Sequence, residues 1–155
     1  MAGRIDAKLT ELGITLPTPT APIANYVPFV QSGAQVVVSG QLPLVDGKLL
    51  ATGKLGGSVT IEQGQAAARA SFVNLLVHLK SACGGDLDRV RRVVRLGGFV
   101  ASTPDFTDQP KVVNGASDLA VAVFGEAGRH ARSAVGVPSL PLDAAVEVEG
   151  LFEIE

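Results

Sequence analysis

Apolar residues recur at helical spacing along the middle of the chain, which predicts a long helix. The apolar face of this predicted helix consists of Ala68, Phe72, Leu75, Leu76, Leu79 and Cys83. Thr60 and Gln63 have the spacing of a capping box at its start. Gly84-Gly85 provides the residues that commonly end a helix.

A second helix is predicted to begin after Asp108, a residue type that caps helix N-termini, with Pro110 in its first turn. Its apolar face would consist of Val112, Ala116, Leu119 and Val123. Residues 4 to 12 predict a further, short amphipathic helix. The proline cluster from Pro17 to Pro22 then forces an extended or turning path.

Several segments predict strands. A β-branched run from Gln35 to Ser39 indicates a buried strand that ends at Gly40, and Asp46-Gly47 is typical of a two-residue hairpin turn. The glycine-rich stretch 51–58 predicts an irregular loop. Further strands are expected at 90–100, where Gly97-Gly98 indicates a bulge or a close backbone approach, and near 133–137. Residues 145 to 154 alternate apolar and polar side chains, as a half-buried strand does.

This order of elements predicts an α+β fold in one domain, with two helices packed on one face of a sheet. A chain of 155 residues leaves little sequence to cover the other face of that sheet. We therefore expect sister subunits to cover it in a symmetric oligomer.

Composition narrows the possible functions. With 13 basic and 15 acidic residues the net charge is −2, and only 5% of residues are aromatic, so neither a basic footprint nor stacking residues indicate nucleic-acid binding. One cysteine and two histidines exclude an intrachain disulfide and argue against a metal site. Residues 1 to 12 mix charged and apolar types, and no apolar run has the length of a membrane span. We expect a cytoplasmic protein with no membrane association.

Two polar residues stand out as candidates for chemistry. Arg132 lies among small and apolar residues just before a predicted strand, and its planar guanidinium suits bidentate binding of a carboxylate. Glu147 lies on the alternating last strand and could act as a general base or position a water. Composition alone favours the ordinary interpretation, in which Arg132 is a surface arginine and Glu147 is a solvated strand residue.

Three segments resemble one known family. NYVPFVQSGAQVVVSGQLP (25–43) looks like the PYV...SGQ(I/L)P signature of the reactive-intermediate deaminase family, RidA or YjgF. Residues 131–149 resemble its C-terminal signature, in which ARS and LP are followed by (V/I)E(V/I)E. RVVRLGGFVASTPDF (92–106) is similar to a further strand segment of the family. The resemblance extends from Ala21 to the C-terminus and leaves residues 1–20 as an N-terminal extension.

The resemblance implies a chorismate-mutase-like fold with a mixed sheet, assembled as a homotrimer with ligand clefts between subunits. It implies hydrolysis of reactive enamines and imines to a 2-ketoacid and ammonia, without a metal or cofactor. The substrate would be a small carboxylate. Older names in the family include endoribonuclease and translation inhibitor.

The resemblance also implies roles for single residues. Arg132 matches the arginine that binds the substrate carboxylate, and Glu147 matches the glutamate that positions water. Tyr26 matches a tyrosine lining the cleft, and Gly40 a glycine whose carbonyl faces the substrate nitrogen. Asn114 corresponds to a family asparagine near a helix start.

Departures from the family pattern concern the pocket. Ala134 stands where well-known members have a cysteine, so only its backbone N–H would remain for binding. Leu96-Gly97-Gly98 replaces bulkier residues, which would open the pocket. Residues 1–20 and the 51–58 insertion make the chain a longer variant. If either segment packs near the cleft, we expect a different substrate or no activity.

The other polar and cysteine residues are expected to have structural rather than catalytic roles. His78 is expected to be an ordinary solvated or hydrogen-bonded histidine on the polar side of its helix. Cys83 is expected to be a small core residue, and Glu149 and Glu153 to be solvated or to form ion pairs between subunits. His130 is either an ordinary hydrogen-bonded histidine or a neighbour that supports Arg132. A trimer that binds a carboxylate without catalysis, or an endoribonuclease, remains the alternative function.

Overall fold

The computed structural model describes residues 3–19 and 25–155, and these contain three helices and seven strands. The helices are α1 (Arg4–Glu11), α2 (Ile61–Ala82) and α3 (Gln109–Phe124). The strands are β1 (Phe29–Ser32), β2 (Gln35–Gln41), β3 (Leu44–Val45), β4 (Lys48–Leu49), β5 (Val90–Ala101), β6 (Ala131–Val137) and β7 (Val146–Ile154). Short 3-10 turns lie at Leu87–Arg89, Gly125–Gly128 and Pro141–Asp143.

Five strands form one mixed sheet in the order β1-β2-β7-β5-β6. Only β5 and β6 are parallel, and α3 connects them; the other neighbours are antiparallel. Strands β3 and β4 form a separate hairpin, whose Asp46 and Gly47 both have positive φ, as the predicted turn requires. The expected mixed α+β architecture is confirmed.

The core lies between the sheet and the pair α2 and α3. The predicted apolar faces of both helices are buried there, together with Val36, Val38, Leu96, Val148 and Phe152 from the sheet. Thr60 and Gln63 form the predicted capping box at the start of α2. Gly84 and Gly85 follow its last turn with positive φ.

The two consecutive glycines in β5 have different neighbours. A Cβ on Gly98 would lie 2.5 Å from Cγ2 of Val113, so the absence of a side chain lets α3 pack directly onto the strand. Gly97 instead faces the side chain of Glu149. The register shifts of β5 lie nearer its start, so the glycines provide close approach rather than a bulge. Because Val113 occupies the space above Gly98, this glycine does not open a pocket there.

Helix α1 is predicted correctly but is anchored by a distant residue. The carboxylate of Asp88 accepts hydrogen bonds of 2.8 Å from the backbone N–H groups of Arg4 and Ile5. These bonds take the place of a local N-cap, because Gly3 has no side chain to accept them. Ile5 and Leu9 are buried. The helix contacts α3 and the turn at Leu87–Arg89, so α2 and α3 remain the two helices on the sheet face.

Several boundaries and exposures differ from expectation. Strand β1 is not predicted from the sequence, and β2 is buried on alternate residues only, because one of its faces is uncovered. Strand β6 begins at Ala131, so Arg132 lies within the strand rather than before it. Asp108 precedes α3 but makes no side-chain capping bond; its carboxylate lies 3.6 Å from Nζ of Lys111.

His78 is also placed differently from expectation. It is only 9% exposed, and burial lowers the pKa of its imidazole. It faces a cavity of about 270 Å³ that also contacts Gln41 and Asn74. Cys83 is buried as expected, and burial is the main cause that raises the pKa of its thiol.

The sheet face opposite the helices is open in a single copy. Its exposed apolar residues include Val30, Val37 and Val135. Polar residues Glu147, Glu149 and Glu153 share this face of β7. Across residues 3–19 and 25–155, no helix combines the length and apolar character needed to cross a membrane.

Candidate functional site

Arg132 lies on the helix side of the sheet, at the edge strand β6. It pairs with Leu96 on β5, which in turn pairs with Gly150 on β7, and both of these residues are buried against the helices. Because residues paired across a sheet share a face, the guanidinium is directed towards α3. The half-buried side chain contacts three residues of that helix.

Helix α3 binds one end of the guanidinium. Nη1 donates to Oδ1 of Asn114 at 2.9 Å and to Oγ of Ser117 at 3.1 Å, from residues three apart on one helix face. Nη2 makes a longer contact of 3.4 Å with the carbonyl of Pro110. Within the described residues, Nε has no hydrogen-bond partner. The N–H groups of Nε and Nη2 can therefore bind a carboxylate in a bidentate manner.

Glu147 lies on the opposite face of the sheet. It pairs with Phe99, whereas its neighbours Val146 and Val148 are fully buried against the helices. The side-chain alternation of β7 therefore directs the Glu147 carboxylate to the open face.

Gly40 lies directly against this carboxylate. The register between β2 and β7 shifts between Val38 and Gln41, so a bulge places Gly40 beside Glu147. A Cβ at this position would collide with Oε1 of Glu147. A glycine is therefore what allows the backbone to approach the carboxylate this closely.

The environment of Glu147 favours its protonated form. Partial burial, and then the negative charge of Glu149, raise the pKa of the Glu147 carboxyl above its ordinary value. Glu149 itself lies 3.6 Å from Nη1 of Arg95. Within the described part of the chain, Glu147 forms no salt bridge. Its carboxylate is thus partly desolvated without a compensating cation.

Of the two remaining expected residues, only Ala134 lies beside Arg132. Ala134 follows Arg132 on the helix side of β6, pairs with Gly98 and packs against the core. Tyr26 is 56% exposed in the segment that leads into β1, the edge strand furthest from β6. One copy of the chain thus holds Arg132, Asn114 and Ala134 on one side of the sheet, and Gly40 and Glu147 on the other.

Two residues beside Arg132 extend its contacts. Ser117 binds Nε2 of His130 at 2.9 Å, and Nδ1 of His130 lies 2.6 Å from the carbonyl of Gly128. Ser117 is not among the residues that the sequence pattern singles out. Its position three residues after Asn114, on the same face of α3, is the signal that would have identified it.

Two cavities among the described residues lie away from the six expected site residues. One of about 440 Å³ is bounded by the segment around Ile14, the β3-β4 hairpin and α2, and it includes Arg69 and Asn74. None of the six residues expected to form the site contacts this cavity. In one copy, five of the six lie on two opposite sides of the sheet instead of in a single pocket, and Tyr26 lies outside the sheet in the segment before β1.

Comparison with known proteins gives consistent matches over nearly the whole chain. Residues 6–154 match the family model described as "YjgF/chorismate_mutase-like, putative endoribonuclease". A Trypanosoma cruzi protein named TCP17 is 55% identical over 154 residues, which cover 99% of this chain and 96% of that protein.

Solved structures agree with this match. A protein of unknown function from Agrobacterium tumefaciens is 51% identical with a TM-score of 0.92, over 97% of this chain and 92% of its own. A Shewanella oneidensis protein with the same endoribonuclease description is 38% identical with a TM-score of 0.93, over 98% and 100% of the two chains.

Proposed function

Because the chain belongs to the YjgF/chorismate-mutase-like family, we propose that it hydrolyses small 2-imino acids and their enamine tautomers to 2-ketoacids and ammonia. The observation that carries this proposal is the state of Arg132. Its guanidinium is half-buried and oriented by Asn114 and Ser117, yet it retains a free edge of N–H groups for a carboxylate.

Arg132 orients the substrate. Two hydrogen bonds from one edge of the guanidinium fix both the position and the plane of the substrate carboxylate. The adjacent imine carbon is thereby held at a defined distance from the attacking water, which is the contribution of orientation to catalysis. The backbone N–H of Ala134 and the carbonyl of Gly40 provide a donor and an acceptor for the remaining polar atoms.

Glu147 moves the protons. Its carboxylate takes a proton from water as the oxygen adds to the carbon of the protonated imine, which forms a carbinolamine. The same carboxyl group then returns the proton to the nitrogen, the C–N bond breaks and ammonia leaves. The second proton of the water leaves the hydroxyl as the ketone forms and is taken up by the departing ammonia, so one protonated imine and one water yield one ketoacid and one ammonium ion. The raised pKa of Glu147 suits a group that must both accept and donate a proton.

A second copy of the chain completes this site in the proposal. The sheet separates Arg132 from Glu147 within one copy, so both can contact one substrate only if they come from different copies. The open sheet face, with exposed Val30, Val37 and Val135, is the surface that a neighbouring copy would cover. A cyclic homotrimer with a cleft at each junction is the assembly that the family resemblance implies.

The test is an imine hydrolysis assay coupled to an amino-acid oxidase, on wild type, Arg132→Ala and Glu147→Ala. Wild type is expected to accelerate hydrolysis, and both variants to lose the acceleration. Denaturing the two inactive variants together and refolding them should restore about a quarter of the wild-type activity, because one junction in four then combines an intact arginine with an intact glutamate.

The same experiment separates the alternatives. Equal rates for wild type and both variants, with wild type still binding 2-oxobutanoate, would favour carboxylate binding without catalysis. Activity in wild type but none in the refolded mixture would contradict the shared site and leave the reaction intact. Cleavage of RNA by wild type and not by Arg132→Ala would instead favour the endoribonuclease designation of the family.

A further inference from the structure

We propose that Ser117 and His130 are positioning residues that fix the guanidinium of Arg132 in its anion-binding orientation; this inference rests on the proposed function. The three side chains form an unbroken line of hydrogen bonds from β6 through α3 to the turn at Gly125–Gly128. Neither residue is needed to bind substrate directly.

The direction of each hydrogen bond in this line follows from its end points. The carbonyl of Gly128 can only accept, so Nδ1 of His130 carries a proton, and Nε2 of the neutral ring is an acceptor. Arg132 can only donate, so Oγ of Ser117 accepts from Nη1. The hydroxyl proton of Ser117 is then free to be donated to Nε2 of His130. Every donor along the line therefore has an acceptor.

The far end of the line is fixed by close packing. Gly128 lies against the backbone of α3, where a Cβ would collide with the carbonyl oxygen of Ala120. The carbonyl that orients His130 is therefore held by the same helix that carries Ser117 and Asn114. His130 and Arg132 are two residues apart, so an extended chain directs both side chains to the same side.

The consequence for Arg132 is a fixed rotation of its guanidinium. Without Ser117, only the bond to Asn114 and the long contact of Nη2 with the Pro110 carbonyl would hold the group, whereas Asn114 and Ser117 together hold both hydrogens of Nη1. The free edge of Nε and Nη2 is thereby kept in one direction. A guanidinium that is already held in one orientation loses less conformational freedom when it binds a carboxylate. The hydrogen bonds through Ser117 and His130 should therefore affect the affinity for the carboxylate rather than the rate of the chemical step.

The test measures the Kd of 2-oxobutanoate by calorimetry, and kcat and KM for imine hydrolysis. Ser117→Ala and His130→Asn are expected to raise Kd and KM by about 3- to 10-fold, the effect of one net hydrogen bond, with kcat nearly unchanged. His130→Gln should bind almost as wild type does. A glutamine oxygen reaches the place of Nε2 and can accept from Ser117, whereas the shorter asparagine reaches only towards Gly128.

Ser81→Ala is the matched control, because among the described residues the Ser81 hydroxyl donates only to the carbonyl of Val77 in its own helix. It should leave Kd unchanged, and all variants should unfold cooperatively. Active enzyme with the same Kd in Ser117→Ala, His130→Asn and wild type overturns this inference alone, as does a His130→Gln variant as weak as His130→Asn. Variant-dependent Kd without any hydrolysis supports the inference and overturns the proposed reaction. A wild type that neither binds 2-oxobutanoate nor hydrolyses the imine overturns both.

Discussion

The proposed site has one half around Arg132 on the helix side of the sheet and one half around Glu147 on the open face. The two halves differ in how many of their contacts one copy of the chain supplies. On the helix side, Arg132 has partners at Asn114 and Ser117, and its orientation is set before any ligand arrives. On the open face, Glu147 is partly desolvated beside Glu149 and has no salt bridge within the described residues. The cationic half is thus preorganised, and the anionic half is held in an unfavourable state that a bound cationic imine would relieve.

The largest expected effects separate these two halves by kinetic parameter. Glu147→Gln should lower kcat by about 10²- to 10⁴-fold, the usual range for losing a general base, and leave the Kd of 2-oxobutanoate nearly unchanged. Arg132→Lys should raise that Kd by about 10- to 100-fold, because lysine cannot make the bidentate pair. Steady-state kinetics and calorimetry on both variants check this. Equal losses of binding and of turnover in both variants would contradict the assignment of binding to Arg132 and of proton transfer to Glu147.

The next largest effect tests the close contact between β5 and α3, which a glycine in β5 allows. Gly98→Ala places a Cβ against Val113, whose β-branched side chain on α3 has little rotational freedom. It should lower the free energy of unfolding by about 1–3 kcal/mol. It should also weaken 2-oxobutanoate binding, because Asn114 follows Val113 on the helix.

Gly97→Ala is the matched control for this substitution. Its Cβ would meet mainly the flexible side chains of Glu149 and Arg95, which can move aside. Urea unfolding should show a change within about 0.5 kcal/mol. Equal destabilisation by both alanines would mean that the contact with α3 is not what requires glycine at position 98.

The long periodic elements are predictable from the sequence because their local signals agree with their packing. The capping box at Thr60, the paired glycines after Cys83 and the alternation in β7 each appear as expected. The short edge strand β1 is not predicted, since its four residues carry no burial pattern. Residues 20–24 lie outside the described part of the chain, so the proline path expected there is tested only up to Pro19.

The site is less accessible to sequence reasoning because it depends on which face a residue occupies. The resemblance places Arg132 and Glu147 in one reaction, but only the strand register shows that they lie on opposite faces. Ser117 and the buried position of His78 depend on helix packing, which no local pattern specifies. Long-range anchors such as Asp88 at the start of α1 have no signature in the neighbouring sequence.

A smaller effect tests whether the negative charge of Glu147 destabilises the fold. Glu147→Gln should stabilise the fold at neutral pH by less than about 1 kcal/mol, because solvent screens a partly exposed charge. With its pKa raised on folding, Glu147 binds a proton more tightly in the folded state. The stability of wild type should therefore fall as pH rises from 4.5 through the raised pKa. The advantage of the variant should vanish below pH 4.5, and thermal unfolding across this range measures it.

The smallest expected effect concerns the charge of Glu149. Glu149→Gln removes a negative charge that raises the pKa of Glu147. It also frees Arg95 from its ion pair, and the positive charge of Arg95 lowers the pKa of a neighbouring carboxyl. Both changes lower the pKa of Glu147, so the acidic limb of the kcat/KM profile should move to lower pH. Glu153→Gln lies on the same strand face and makes a matched control that should leave the limb in place. If the acidic limb of the kcat/KM profile does not move in Glu149→Gln, desolvation alone raises the pKa of Glu147. The ionised form of Glu147 would then be unfavourable because the side chain is partly buried, and not because Glu149 lies beside it.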